Sequence, residues 1–388
     1  MFQDSISIFA VLCLNIALAE WLTTKPYFRH VGSALLVIII TAIVANVGII
    51  PSSSPATPLY DTVFSTIAPL SIFLMLLNVN LRSLKQAGSP MLLMFGIGSL
   101  ASMAGAVVAI GVLNGRAEIG DLFYAIGGMY TGTYTGGSIN FNAVALNYGV
   151  SQQGDLFAAA TVADNVIGSL WIIATLALPQ ILNRWFPKKK RDSPTATDTT
   201  TPAAASLGDT ESINPFDLAL ILLLGLAGIQ VSDWLSSQFP PIPSIIWLTT
   251  IATILAQIPA INRLRGHKML GLFTVYLFLA VIGAYCDVPA LIKDGQLALI
   301  LLTLVTILIT VHGLIIYGIG ALLKQDWDLI SIASQANVGG ASTAMALSRS
   351  LNRSDLTLPG ILVGTLGSAT GTYLGIIVAE FLQYSGWF

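Results

Sequence analysis

The sequence predicts an all-α polytopic membrane protein: two inverted repeats, about ten transmembrane helices in all, and two glycine-broken segments. Three observations predict it. Only 9% of the 388 residues are charged and 55% are hydrophobic, with a mean hydropathy of +0.80. A soluble chain of this size needs about a quarter charged residues for its surface. Apolar runs of about 20 residues, each enough to cross ~30 Å of hydrocarbon, recur along the chain. The order of these runs is given twice, once on each side of a polar stretch. The reading therefore divides the chain into a first repeat at 1–186, a flexible cytoplasmic linker at 187–214 and a second repeat at 215–388.

The elements follow in order. The first run, 5–22, has no basic stretch before it and no small-residue cleavage site after it, so it is read as a retained span. Runs at 31–50, 59–79, 91–114 and 155–182 belong to the first half. Those at 215–235, 244–262, 269–289, 296–323 and 356–384 belong to the second. Two segments break the pattern. One, at 121–150, contains "YTGTYTGGSINFNAVALNYG"; the other, at 328–350, contains "SIASQANVGGASTAMALSRS". The linker, "PKKKRDSPTATDTTTPAAASLGDTESIN", is rich in Thr, Ser, Pro and Ala and holds no apolar run. The halves also match in detail: "NLRSLKQAG" and "DVPALIKDG" follow the third span of each half, and Gly136-Gly137 matches Gly339-Gly340. Internal repeats of this kind point to secondary transporters.

Charge sets the expected topology. If all twelve segments crossed the membrane, the 17 Lys and Arg residues would divide seven to ten between the two sides. If the two polar segments enter and return on one side, fifteen of the 17 share a side and only Arg116 and Lys293 face the other. The positive-inside rule prefers the second arrangement, with ten spans and two re-entrant segments. Five crossings per half make the halves inverted, with both chain ends outside and the linker near Lys189 in the cytoplasm. The multi-pass chain is placed in a cell inner membrane.

Irregular backbone survives at membrane depth only where protein or water satisfies its N–H and C=O groups. Glycine pairs stop a helix and let a ligand approach the backbone. Helix N-termini there suit carboxylates, and unwound carbonyls with Ser, Thr and Asn oxygens suit a small cation. The candidate substrate site is therefore Gly136, Gly137, Ser138, Asn140 and Asn142 with Gly339, Gly340, Ser342 and Thr343. The plainer alternative is that these small residues only permit close packing. A second candidate is Asp164 in "AATVADNVIGSLW", a carboxylate costly at mid-span unless it has a partner or a task. Thr161, Asp164, Asn165 and Gly168 share one helical stripe, where sodium or a proton could couple transport. The second half lacks the acid and instead carries Gly360, Gly364, Gly367, Gly371 and Gly375, a face suited to packing. His312, alone within a span, reads better as a buried, hydrogen-bonded neutral imidazole than as a proton relay. Asp287 and Asn80 sit at span ends, and Trp21, Trp234 and Trp387 fit interface anchors.

On "GTYTGGSINFNAVA", "ATVADNVIG" and "ANVGGASTAMAL", the chain resembles the superfamily of cation/proton antiporters, bile-acid/sodium symporters and glutamate or citrate/sodium symporters. Within it, the chain looks most like a bacterial and plastid branch, the YjcL-like membrane proteins. The resemblance implies an elevator-type, ion-coupled transporter that forms a homodimer. The residues after each glycine pair depart from the glutamate and citrate members, so the resemblance implies where a site lies and not what it binds.

The sequence has no HExxH, C-x-x-C, G-x-S-x-G or GxxxxGK[ST], so metalloprotease, redox, hydrolase and nucleotide-driven mechanisms lack their parts. Cys13 and Cys286 suggest no disulfide framework, and no basic stretch has the pattern of a nucleic-acid surface. The expectation is thus not an enzyme but a secondary transporter of a small polar or anionic organic solute. Its partners are the bilayer and the solute, with sodium or a proton as coupling ion and no other cofactor. Two alternatives stay open: a cation/proton exchanger without organic substrate, and a channel.

Overall fold

The computed structural model describes residues 2–28, 32–52, 57–186, 214–286 and 295–385. Nearly all of the linker, the segment around Asp287 and Lys293, and Trp387 lie outside them. Among the described residues every regular element is helical.

The first half gives α1 (Ser5–Thr23), α2 (Ser33–Asn46), α3 (Pro58–Leu76), α4 (Ser89–Val112), α5 (Phe123–Gly136), α6 (Ser138–Asn147) and α7 (Gly154–Trp185). The second gives α8 (Pro215–Gln238), α9 (Ser244–Ala256), α10 (His267–Ala284), α11 (Gly295–Leu322), α12 (Trp327–Ser350) and α13 (Thr357–Tyr384). Among the described residues eight helices are long and apolar enough to cross a membrane, as a multi-pass membrane protein requires. The runs expected at 31–50 and 244–262 yield shorter helices, α2 with 14 residues and α9 with 13. Gly48 stands in a left-handed turn, and Pro259 lacks the N–H that would continue α9. Within α3 a π-turn at Val63–Ile67 precedes Pro69, whose missing N–H interrupts the regular ladder.

Both glycine-broken segments are helical hairpins. Gly132 on α5 lies against Asn140 on α6, and Gly128 against Val144, so the two arms run antiparallel. In α12 the reversal is at Gly340: Thr343 Oγ1 donates to the Gln335 carbonyl (3.2 Å), and Gly360 of α13 touches both Ile332 and Ala344. The second glycine of each pair makes the turn in one shared conformation, Gly137 at φ 91°, ψ 176° and Gly340 at φ 76°, ψ −162°. This region is essentially reserved for glycine. The first glycine of each pair serves close contact instead: a Cβ at Gly136 would stand 1.9 Å from the Gly367 carbonyl carbon.

Helix contacts come in reciprocal pairs between the halves. As α2 packs on α10, so α9 packs on α3; as α7 packs on the second hairpin, so α13 packs on the first. Two bundles result. One contains α1, α2, α3, α8, α9 and α10; the other contains α4, both hairpins, α7, α11 and α13; fewer contacts join them.

The α13 glycine face holds both hairpins. Gly360 and Gly364 lie against the second, while Gly367, Gly371 and Gly375 lie against Thr135–Gly136, Asn140 and Gly128 of the first. The foot of the second hairpin is tied by buried Arg353, whose guanidinium meets Asp326, Asp328 (2.9 Å) and, bidentately, Asp355 (2.8 and 2.9 Å). Burial opposes the guanidinium charge, and these carboxylates more than reverse that, holding the Arg353 pKa above its usual value.

A Cβ at Gly367 would stand 2.3 Å from the Thr135 carbonyl oxygen, whereas one at Gly318 would meet nothing within 4 Å. Gly367→Ala is expected to cost about 1–3 kcal/mol through overpacking and Gly318→Ala to be neutral or slightly stabilising. Thermal unfolding of the two purified variants checks this; equal midpoints would refute the packing role.

Candidate functional site

The hairpin tips meet: a Cβ at Gly340 would lie 3.8 Å from the Gly136 carbonyl oxygen, and Ser368 Oγ donates to that oxygen (3.2 Å). Beside the tips, where the two bundles face each other, lies a cavity of about 270 Å³. The first hairpin contributes Thr133, Gly137, Ser138, Phe141 and Asn142; the second contributes Gln335, Val338, Gly339 and Thr343. From α7 come Phe157, Thr161, Asp164, Asn165, Gly168, Ser169 and Ile172. The opposite bundle supplies Ala34, Val275 and Leu279, all apolar.

Eight of the twelve residues singled out from sequence line this cavity: Gly137, Ser138, Asn142, Gly339, Thr343, Thr161, Asp164 and Asn165. Four stand off its wall. Gly136 is packed against α13, and Gly340 forms the turn. Asn140, fully buried, reaches the Gly367 carbonyl (3.4 Å) and accepts from Thr372 Oγ1 (2.8 Å), so its amide holds the hairpin to α13. Ser342 is exposed on the outer arm.

Local hydrogen bonds decide what the polar residues show the cavity. Thr161 Oγ1 donates to the Phe157 carbonyl, Asn165 Nδ2 to the Thr161 carbonyl and Ser169 Oγ to the Asn165 carbonyl, each at 2.8 Å. The hydroxyl protons of Thr161 and Ser169 and one amide N–H of Asn165 are thus spent on their own helix, and their oxygen lone pairs remain. Thr343 likewise donates back to Gln335 and Gly340. Asp164 adds a carboxylate to this acceptor-rich surface. The Tyr134 hydroxyl, buried and without a full hydrogen bond, reaches towards that carboxylate.

Behind the cavity a buried chain connects the hairpins through His312, which is fully buried. Nδ1 lies 3.0 Å from Ser102 Oγ and 3.1 Å from the Gly98 carbonyl, an obligate acceptor, so Nδ1 carries the proton. Ser102 Oγ donates to the Tyr134 carbonyl (2.6 Å). In the neutral tautomer Nε2 accepts from Ser334 Oγ (2.9 Å), which itself accepts from Trp171 Nε1 (3.0 Å). The imidazole thus spans from one hairpin to the other, with both nitrogens used. Asn337 ties the second hairpin to α4 instead, donating to the Phe95 carbonyl (3.2 Å) and accepting from Ser99 (2.8 Å).

Sequence reading missed Thr133, Ser169, Gln335, Trp171 and Ser334. Ser169 had a signal, since it continues the Thr161–Asn165 stripe at the next four-residue step. For the others only the fold brings distant segments together.

The fold and the cavity define a multi-pass helical membrane protein with paired glycine hairpins over a polar cleft. Over residues 7–385 the chain matches the family described as "Protein of unknown function (DUF819)", and it belongs to that family. It is also similar to a Bacillus subtilis (strain 168) protein named "Uncharacterized membrane protein YjcL". The two are 28% identical over 370 residues, spanning 91% of this chain and 90% of that one.

Replacing His312 by Leu would leave Ser102, Ser334 and the Gly98 carbonyl short of a partner. A loss of about 1–3 kcal/mol is expected, with His312→Gln less harmful. Unfolding midpoints of the purified variants measure this; a fully stable His312→Leu would show that the chain through His312 does not tie the hairpins.

Proposed function

We propose that the protein is an ion-coupled secondary transporter of a small polar solute, with the hairpin bundle carrying the site past the other bundle. One observation carries this reading. Every polar group on the cavity wall belongs to the hairpin bundle, and the opposite bundle offers only Ala34, Val275 and Leu279. A solute held by one bundle and merely faced by an apolar wall can move with its binder without breaking polar contacts at each step. The reciprocal helix contacts support two inverted repeats of five spans each, with the hairpins re-entrant. The likeness to the cation/proton antiporter, bile-acid and glutamate or citrate symporter superfamily points the same way. Within this reading the inner membrane is the site of action and a homodimer the working unit.

Asp164, flanked by Thr161 and Asn165, is assigned the coupling cation or proton. The acceptor-rich stripe suits either one, and a carboxylate between bundles of a membrane protein is costly without such a task. Asp164→Asn is expected to lose accumulation of solute driven by a sodium or proton gradient, while exchange down the solute's own gradient survives. Reconstituted protein in vesicles checks this. Unchanged ion dependence would make Asp164 structural, and proton flux with no solute present would favour the cation/proton exchanger.

The same reading puts 187–214 in the cytoplasm and both ends outside. In a background without Cys13 and Cys286, a cysteine at Ser5 should react with an impermeant thiol reagent added outside intact cells, and one at Thr199 only after lysis. Equal labelling from outside would refute that topology.

A further inference from the structure

We infer that the solute taken by this cavity is a small molecule of zero net charge, of the amino-acid zwitterion class, and not a dicarboxylate. The inference rests on the transporter reading above and deepens it. Among the described residues Asp164 is the one charged side chain on the wall, and no Lys, Arg or His of theirs faces the cavity. A coupling sodium ion or proton at Asp164 brings the wall to neutrality. A solute with net negative charge would then be buried with no opposite charge, which is strongly unfavourable. A solute with net positive charge would compete with the coupling ion for the same carboxylate.

The hairpin tips do not alter that balance. A helix N-terminus alone would favour an anion, but each tip joins the C-terminal end of one arm to the N-terminal end of the next. Their partial charges of opposite sign lie side by side and largely cancel.

Hydrogen bonding then narrows the class. Thr161, Asn165, Ser169 and Thr343 have donated to backbone carbonyls and keep lone pairs, which suit an ammonium group. Gln335 lies beside Thr175, with Oε1 3.2 Å from Thr175 Oγ1, and its side-chain amide brings N–H groups that can donate to a carboxylate. Phe141 and Phe157, whose rings lie 5.3 Å apart, supply an apolar wall. About 270 Å³ falls below the range of drug-sized pockets and limits the solute to a few heavy atoms beyond its polar groups.

The test uses the purified full-length protein with L-alanine and L-glutamine as neutral zwitterions, succinate as the dianion and putrescine as the dication. Thermal unfolding and isothermal titration are run in sodium and in choline chloride at two pH values. The expected result is binding of a neutral zwitterion at least about tenfold tighter than succinate, and only where the coupling cation or proton is present. In Asp164→Asn that binding should no longer depend on sodium or pH. The wild-type series decides the matter where this variant does not fold. Succinate binding as tightly as the zwitterions overturns the charge inference, and succinate uptake into vesicles would do so while leaving the transporter reading intact. Binding and uptake of none of the four probes, in any ion, overturns both.

Discussion

The structure depends on one constraint: a chain that reverses direction while buried among the helices of a membrane protein must satisfy its freed backbone groups within the protein. Gly137 and Gly340 make the reversals in a conformation open only to glycine, but a turn is not a fold. What holds the tips is α13, whose glycines bring its backbone against Gly136 and Ala341, near enough for Ser368 to donate to the Gly136 carbonyl. Remove the side chains from one face of a helix, and two other helices can end against it. The cavity, the meeting of the tips and the buried chain through His312 all follow from that approach.

The two bundles differ in what they present to each other. The hairpin bundle concentrates broken helices, buried Asn and Ser residues and the acid. Within the other, the core is aromatic and aliphatic, with Phe64 set edge-on to Phe278 at 5.9 Å and to Tyr285 at 5.4 Å. Polar ties across the boundary are few; Thr250 with the Tyr373 hydroxyl (2.6 Å) is one. Apolar contact is non-directional, so a largely apolar boundary tolerates a change of register that a hydrogen-bonded one would resist.

Much of this was legible in the sequence because hydrophobic runs at membrane length leave little choice of element. The spans, the glycine pairs and the Asp164 stripe were read from spacing alone. What spacing could not give was the division of labour inside each pair: Gly136 and Gly137 are adjacent in sequence, yet one exists for contact with Gly367 and the other for its φ. Asn140 was read as a ligand for the same reason. Its partner Thr372 lies 232 residues away, and no local pattern announces it. Gln335 and Thr133 were passed over because a lone polar residue on a hairpin's first arm looks like any other until the second arm folds back beside it.

Helices α7 and α13 hold matching places, each packed on the other half's hairpin, yet they treat the space beside it differently. Along α13 each of the five glycines meets another atom at close range, so that groove is closed by backbone contact. Along α7 the corresponding face carries Thr161, Asp164 and Gly168, and a Cβ at Gly168 would meet nothing within 4 Å. Glycine thus closes one groove and leaves the other open, according to what approaches it. Among the described residues, the cavity beside the tips thereby has its one acid, Asp164, on α7 and none on α13. A single-carboxylate site needs such a difference, since perfect symmetry would have placed a second acid opposite the first.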